Sequence, residues 1–140
     1  MIKGYAGRIL EVDLRTQRFA FAPLDDTTAR LYIGGKGYGT RLLYDRTGPG
    51  IDPLGPENPL IFATGPLNGS VAPQSNRFVV GCKSPLTGGI GNAACGGSFA
   101  LGLKKAGIDV LIVTDRAERP VRLEIDGDRD QVEFKDAADL

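Results

Sequence analysis

The fold of this chain is decided by one stretch, Ala72–Gly107, which reads APQSNRFVVGCKSPLTGGIGNAACGGSFALGLKKAG. It begins in a turn, enters an apolar strand at Phe78, passes through two glycine-rich turns and enters a helix after Gly96-Gly97. The first turn of a helix has backbone N–H groups without partners and a partial positive charge. We therefore expect this turn to bind an anion, with the Arg77 guanidinium contacting a phosphate or a ring carbonyl. The alternatives are a plain glycine turn and a solvated arginine at a strand edge.

Composition limits the class of protein. The 140 residues amount to one domain, long enough to bury a core. With 17 basic residues, 17 acidic residues and no histidine, the chain has no charge excess that would attract nucleic acid or an anionic membrane. No apolar run approaches the roughly 20 residues of a membrane span, and the N-terminus lacks the apolar core of a signal peptide. We expect a soluble cytoplasmic protein that binds neither nucleic acid nor membrane.

The two cysteines do not form a metal motif. Cys82 and Cys95 are too far apart in the sequence for a CxxC metal or redox motif. Both can instead be small buried residues that fill space in the core. Without histidine, two thiols cannot complete a four-ligand zinc or iron–sulfur site. Any metal chemistry must therefore come from a cofactor or from another polypeptide.

Glycine is unusually concentrated in the middle of the chain, where 17 of the 20 glycines lie between Gly34 and Gly107. Because glycine weakens helix and strand interiors, we expect this segment not to be mostly regular structure but turns, closely approaching backbone or ligand-binding loops. Its first part, Gly34–Gly39, resembles a phosphate loop but lacks the GKS or GKT ending and the GxGxxG spacing. It is either a helix–helix corner or a ligand contact, and Lys36 favours the contact.

The order of the predicted elements indicates an α+β fold, with antiparallel or mixed sheets and short glycine-capped helices, rather than a doubly wound sheet. The acidic residues Glu57, Glu118, Glu124 and Asp109 are expected at the surface or in turns, so none is a candidate general base. The predicted elements are a β-hairpin of Tyr5–Leu14 and Arg18–Ala22, a helix from Thr27 capped by Asp25 or Asp26 and ended by Gly34-Gly35, a helical segment Thr40–Asp45, strands Leu60–Thr64, Phe78–Cys82 and Val110–Val113, a helix Gly97–Ala106, and an Asp-Gly hairpin of Val121–Ile125 and Gln131–Lys135.

A set of short motifs in this order resembles the N-terminal domain of the aldehyde ferredoxin oxidoreductase family, over essentially all 140 residues. The motifs are Gly4-Tyr5-Ala6-Gly7 with Leu10 and Leu14, Gly34-Gly35-Lys36-Gly37, Asp52-Pro53-Leu54-Gly55-Pro56-Glu57-Asn58, Thr64-Gly65-Pro66-Leu67, Arg77, Lys83-Ser84-Pro85-Leu86-Thr87-Gly88, Gly96-Gly97 and Leu103-Lys104-Lys105-Ala106-Gly107.

The resemblance implies a specific chemistry. The domain would form the base for a tungsten or molybdenum bis-pterin cofactor, with a magnesium ion bridging the two pterin phosphates. An iron–sulfur cluster, bound outside this chain, would pass electrons to ferredoxin. The implied reaction is oxidation of an aldehyde to a carboxylic acid, and some relatives act on other substrates.

The resemblance also assigns roles to individual residues. Arg77 lies where the family has an arginine that contacts the pterin on the side of the cluster. Ala94 lies where an asparagine is common whose backbone carbonyl helps to hold magnesium, so alanine can still serve as that metal ligand. Gly96 and Gly97 match the glycines that admit the pterin, and we include the adjoining Cys95 among the cofactor-binding positions. Lys36 stands where an arginine is frequent, and with Gly37 it completes the predicted cofactor-binding set.

The family's remaining parts are absent from these residues: the second half of the pterin platform, the cluster-binding cysteines and the helical domains. We therefore expect a truncated or separately encoded N-terminal piece that is inactive without the remaining domains or subunit. The alternative is a non-catalytic binding or assembly module that retains the fold; Arg77 and the glycine pair favour the first. An incomplete platform would expose apolar surface, so self-association is also expected.

Overall fold

The computed structural model describes residues 3–139. These residues form a six-stranded mixed sheet in the order β2-β1-β6-β3-β4-β5, a separate β7–β8 hairpin and three helices. The elements are β1 Arg8–Asp13, β2 Arg18–Pro23, α1 Asp26–Tyr32, α2 Gly35–Arg46, β3 Leu60–Ala63, β4 Phe78–Lys83, β5 Ile90–Cys95, α3 Phe99–Lys105, β6 Val110–Thr114, β7 Val121–Asp126 and β8 Gln131–Asp136. The predicted α+β fold with mixed sheets is confirmed.

The sheet is the middle of three layers. One core joins α1 and α2 to the sheet through residues such as Ala29, Tyr38 and Ile112. The other core joins α3 and the β7–β8 hairpin to the opposite face through residues such as Leu103 and Leu111. Side chains alternate between the two faces of a strand, so β6, which reads VLIVT, supplies both cores and is apolar at nearly every position. The pairing of β6 with β1 is parallel, whereas the other neighbours are antiparallel.

The first two helices meet at a tight corner. The Asp25 carboxylate caps α1 by accepting a hydrogen bond from the Thr28 N–H at 2.6 Å, and α1 ends at Ile33, which has a φ of 65°. The second helix then starts at Gly35, five residues before the predicted start at Thr40. The chain therefore forms the helix–helix corner here, and the corner leaves the Lys36 side chain exposed.

Fewer than half of the residues between Gly34 and Gly107 lie in helices or strands, so the prediction that this segment is not mostly regular structure is confirmed. Several of these glycines permit close packing within regular elements. A Cβ at Gly37 would lie 2.3 Å from the Tyr32 carbonyl oxygen, whereas a Cβ at Gly39 would make an ordinary contact with the Ala63 side chain at 3.4 Å. The glycines inside helices and strands are Gly35, Gly37 and Gly39 in α2, Gly81 in β4, Gly91 in β5 and Gly102 in α3.

The strand β5, Ile90–Cys95, occupies a segment for which the sequence predicted no helix or strand. Its sequence, IGNAAC, lacks the alternation that is typical of strands, and Ile90 is its only β-branched or aromatic residue. It forms because β4 offers a complete antiparallel partner, from Phe78 opposite Cys95 to Lys83 opposite Ile90. As the edge strand it is mostly exposed, which agrees with its small residues.

Asp109, expected at the surface or in a turn, lies in the bend between α3 and β6, but its side chain is buried. Its carboxylate accepts hydrogen bonds from the Ala6 N–H at 3.0 Å and the Gly7 N–H at 2.6 Å, and it pairs with the Lys104 ammonium. Lys104 also donates to the Gly4 carbonyl at 2.9 Å. This buried ion pair therefore fastens the N-terminal segment to the end of α3.

The predicted Asp-Gly hairpin is confirmed as β7–β8. The Asp126 carboxylate accepts hydrogen bonds from the N–H groups of Asp128 and Arg129 at 3.0 and 3.1 Å, which closes the turn. A Cβ at Gly127 would lie 2.2 Å from the Ala106 carbonyl oxygen, so glycine lets the turn approach the end of α3. Along residues 3–139, no helix is both long enough and apolar enough to cross a membrane.

Candidate functional site

The candidate site lies at the end of the ribbon formed by β4 and β5. Phe78 pairs with Cys95 and Val79 with Ala94, so one further step in register places Arg77 opposite Gly96. Arg77, Ala94 and the glycine pair, which are separated in sequence by as many as 20 residues, are therefore close neighbours at one corner of the sheet. The structure brings together the residues on which the anion-binding prediction depends.

The backbone of Arg77 is held in place, whereas its side chain is not. The Arg77 N–H donates to the Ser75 carbonyl at 2.9 Å, and the Arg77 carbonyl accepts a hydrogen bond from the buried Asn68 amide at 3.0 Å. The residue is exposed, and its guanidinium makes no hydrogen bond or ion pair with any other residue of the described 3–139 range. A cation with five donors is thus available to a ligand at this corner.

Gly96 and Gly97 are both exposed, and a Cβ at either position would meet no described atom within 4 Å. Gly97 has a φ of +100°, a conformation that side chains rarely adopt, so its identity has a local reason. Gly96 has neither a positive φ nor a close neighbour among the described residues. The missing side chain at Gly96 is therefore not explained by contacts within this part of the chain, in contrast to Gly37.

Aromatic packing fixes the start of α3 directly after the glycine pair. The Phe99 ring lies 4.7 Å from the Phe78 ring and 5.6 Å from the Phe62 ring, measured between centroids. The side chain of Ser98 makes no capping hydrogen bond among the described residues, so that side chain does not satisfy the donors of the first turn. With seven residues instead of the ten predicted, α3 supplies a weaker dipole than the sequence indicated.

Lys36 faces the β4–β5 ribbon from the α2 layer. Its side chain is exposed and lines a small cavity with Val79 and Asn92. Ala94 pairs with Val79 and lies on the same face of the sheet as Asn92, two residues away. Lys36 and Ala94 are therefore on one face, as a shared ligand requires. Gly37 lies in the interior of α2, where its contact with Tyr32 already accounts for glycine.

Cys95 lies on the opposite face of β5 from Ala94, because it pairs with Phe78, whose ring packs against α3. Cys82 pairs with Gly91 and lies four residues along β4 from Phe78, the partner of Cys95. The two cysteines are therefore roughly 13 Å apart along the ribbon. Both thiols are free within the described residues and neither is fully buried, so the small-buried-filler interpretation is wrong. Contact between the Cys95 thiol and a ligand on the Lys36 face would have to cross the strand.

The donors at this corner suit an anionic ligand better than a bare metal. An unpaired guanidinium and an open backbone lie at this corner, Lys36 lies on the Ala94 face of the sheet, and the 3–139 range contains no group of three or more His, Cys, Asp or Glu residues that could hold a metal ion. A metal here would have to use carbonyl oxygens, such as that of Ala94, together with oxygens of the ligand itself. Asn68, which holds the Arg77 backbone, was not recognised in the sequence, where it belongs to an ordinary Gly-Pro-Leu-Asn-Gly turn.

The chain belongs to the aldehyde ferredoxin oxidoreductase family, since residues 9–140 match the family model described as "Aldehyde ferredoxin oxidoreductase, N-terminal domain". It is 43% identical over 135 residues to the tungsten-containing aldehyde ferredoxin oxidoreductase of Pyrococcus horikoshii, covering 96% of this chain and 22% of that protein. It is 35% identical to the aliphatic sulfonate oxidoreductase, WOR-like subunit, of Pyrococcus furiosus, covering 95% of this chain and 21% of that protein. The resemblance inferred from the motifs is thus confirmed.

A solved structure shows the same fold. The active-site complex BamBC of benzoyl coenzyme A reductase, in complex with 1,5-dienoyl-CoA, matches with a TM-score of 0.93 and 38% identity. The match covers 99% of this chain and 21% of that one. This chain therefore spans about a fifth of the length of the relatives that it matches.

Proposed function

We propose that this chain is the part of a tungsten oxidoreductase on which a bis-pterin cofactor rests, and that the corner formed by Arg77, Ala94 and Gly96 is the seat. The observation that supports the proposal is the combination of an unpaired guanidinium and an open glycine one step beyond the Phe78–Cys95 pair. Neither feature stabilises the described chain. Both suit a flat, phosphorylated heterocycle supplied from outside.

The residues of the seat would act by binding and orientation. Arg77 would donate hydrogen bonds to pterin or phosphate oxygens, and its charge would favour the more negative, reduced state of the cofactor. The bare backbone at Gly96 and Gly97 would admit the ring at van der Waals distance. Lys36 would supply a second positive charge from the α2 layer, and the Ala94 carbonyl would help to hold a magnesium ion that accompanies the cofactor.

When bound, the cofactor supplies two-electron redox chemistry at tungsten or molybdenum. The proposed reaction is oxidation of an aldehyde to a carboxylic acid, by analogy with the relatives named for that activity. The electrons would leave through an iron–sulfur cluster held by other parts of the enzyme and then pass to ferredoxin. The two thiols of this chain, on the other face of the sheet, are not assigned to that cluster.

The test is metal retention after replacement of Arg77. The chain is produced together with the polypeptide that completes the enzyme, and tungsten and molybdenum per protein are measured by mass spectrometry after native purification. Losing a hydrogen bond to a charged group costs about 1.5–3 kcal/mol, so Arg77→Ala should weaken cofactor retention by roughly 10-fold to 100-fold. The metal content of Arg77→Lys should lie between that of Arg77→Ala and that of the native protein, because lysine keeps the charge but lacks the planar guanidinium.

The matched control is Arg119→Ala. Arg119 is also exposed and also makes no ion pair or side-chain hydrogen bond within residues 3–139, but it lies in the loop before β7, outside the seat. It should retain a full complement of metal. Native metal content in Arg77→Ala would remove the role proposed for that residue. A metal-free native protein that is monodisperse and stable would instead support the non-catalytic module.

A further inference from the structure

The connection between β3 and β4, residues 64–77, contains no helix or strand, yet it ends at the arginine of the seat. Fourteen residues without regular structure have many accessible conformations, and ordering each residue is unfavourable in entropy. A guanidinium at the end of such a loop would be poorly placed unless its backbone were fixed. The side chain that fixes it is Asn68.

Asn68 lies inside the loop and uses its whole amide. Its side chain is 6% exposed. The amide oxygen accepts a hydrogen bond from the Gly65 N–H, and the amide nitrogen donates to the Ser75 carbonyl at 2.5 Å and to the Arg77 carbonyl at 3.0 Å. Both N–H groups and the oxygen of one amide are therefore engaged with the backbone of the loop.

These hydrogen bonds replace the strand pairing at the point where it ends. Ala63 pairs with Val79 in the β3–β4 ladder, so Gly65 and Arg77 would be the pair two steps further on. The Asn68 amide lies between them and bonds to both. It thereby extends the rigid part of the sheet to Arg77, while the guanidinium stays free of contacts within the described residues.

We propose that Asn68 is a positioning residue for the cofactor seat, which holds the Arg77 backbone so that the guanidinium meets the pterin ligand in a defined place. This inference rests on the proposed function, because it assumes that Arg77 contacts the cofactor. Asn68 acts only through Arg77 and does not itself touch the ligand. Its removal should therefore matter for the cofactor only while the arginine is present.

The experiment is a double-mutant cycle, read out as tungsten content of the completed enzyme. Asn68→Ala should lower retained tungsten by about tenfold. This is the lower end of the loss seen when a residue that orients a ligand-binding residue, without touching the ligand, is removed. In the Arg77→Ala background the same change should cause no further loss. Asn68→Asp, which keeps the acceptor for Gly65 but loses both donors, should reproduce Asn68→Ala.

Asn76→Ala is the matched control. Asn76 belongs to the same loop, and its side-chain oxygen accepts one hydrogen bond from the Gly69 N–H at 3.0 Å, without contacting the Arg77 backbone. It should keep its tungsten. On the 140-residue chain alone, hydrogen exchange should accelerate around residues 75–78 in Asn68→Ala and stay near native there in Asn76→Ala.

The outcomes separate the two proposals. If Arg77→Ala loses tungsten and Asn68→Ala does not, the positioning role is overturned and the seat stands. If both lose it and the losses add in the double variant, Asn68 is merely structural and the proposal is overturned. If Asn68→Ala and Asn68→Asp both fail to fold, Asn68 is again merely structural and the positioning role is overturned. If Arg77→Ala itself keeps its tungsten, the proposed function of the seat fails first.

Discussion

Replacing Asp109 by alanine is predicted to lower the free energy of unfolding by about 3–5 kcal/mol, the usual effect of removing one partner of a buried ion pair. The side chain of Asp109 is 3% exposed and that of Lys104 is 8% exposed, so the ammonium would be left as a buried charge. The N–H groups of Ala6 and Gly7 would lose their acceptor as well. The total free energy of unfolding of a typical domain is only about 5–15 kcal/mol, so this loss would be a large fraction of it.

The assay is urea unfolding followed by circular dichroism, in which the midpoint should fall while the slope stays the same. Lys104→Met should be less damaging than Asp109→Ala, because the carboxylate keeps two backbone donors. The control is Glu11→Ala. Glu11 pairs with Arg46 at 2.5 Å, but the two side chains are 44% and 32% exposed, so less than about 1 kcal/mol is expected. A loss below about 1 kcal/mol in Asp109→Ala would refute the role of the buried pair.

Three further predictions concern local packing and pH. Gly37→Ala should destabilise the protein in thermal unfolding, because its Cβ would lie 2.3 Å from the Tyr32 carbonyl, and an unchanged midpoint would contradict the corner geometry. Gly102→Ala should stabilise it by about 0.5–1 kcal/mol, because the site is helical, exposed and free of described neighbours within 4 Å; a destabilised variant would mean that the position is packed. Burial raises the pKa of Tyr38 above its ordinary value of 10.0, so the neutral form is favoured in the folded state. Stability should be full below pH 10 and fall as the pH rises further, and Tyr38→Phe should reduce that fall, with a remainder from Tyr5, whose pKa burial also raises.

Local signals in the sequence predicted the hairpins and the buried strands. The polar turn after β1 and the Asp126-Gly127 turn each join strands that pair antiparallel, as expected from neighbouring residues alone. The parallel pairing of β1 with β6 joins segments about 100 residues apart and leaves no local trace. Burial of Asp109 was missed for the same reason, since its donors come from the other end of the chain.

Glycine misled the interpretation of two elements. In α2, Gly35 and Gly37 read as turn residues, yet both lie in the helix. Gly35 has a φ of +49°, and a Cβ at Gly37 would lie 2.3 Å from the Tyr32 carbonyl oxygen, so glycine has a local reason at both positions. In β5, tertiary pairing with β4 outweighs the weak strand propensity of the small residues. Helix and strand propensities therefore failed at positions where tertiary contacts decide the structure.

The candidate site was predictable in part. Arg77, Gly96 and Gly97 were identified from residue chemistry, and their joint position follows from the β4–β5 register. That Ala94 and Cys95 lie on opposite faces depends on a strand that the sequence did not predict. Asn68 could not have been found from a turn motif, because its importance depends on the backbone that its amide meets.

The most direct test of the seat is to locate the metal. Crystals of the completed enzyme, measured on both sides of the tungsten absorption edge, would give an anomalous peak at the cofactor. The account predicts that the peak lies beside the end of the β4–β5 ribbon, nearer to Gly96 and Arg77 than to any residue of the β7–β8 hairpin. A peak over the hairpin, or over the outer edge of β2 at the far side of the sheet, would contradict it.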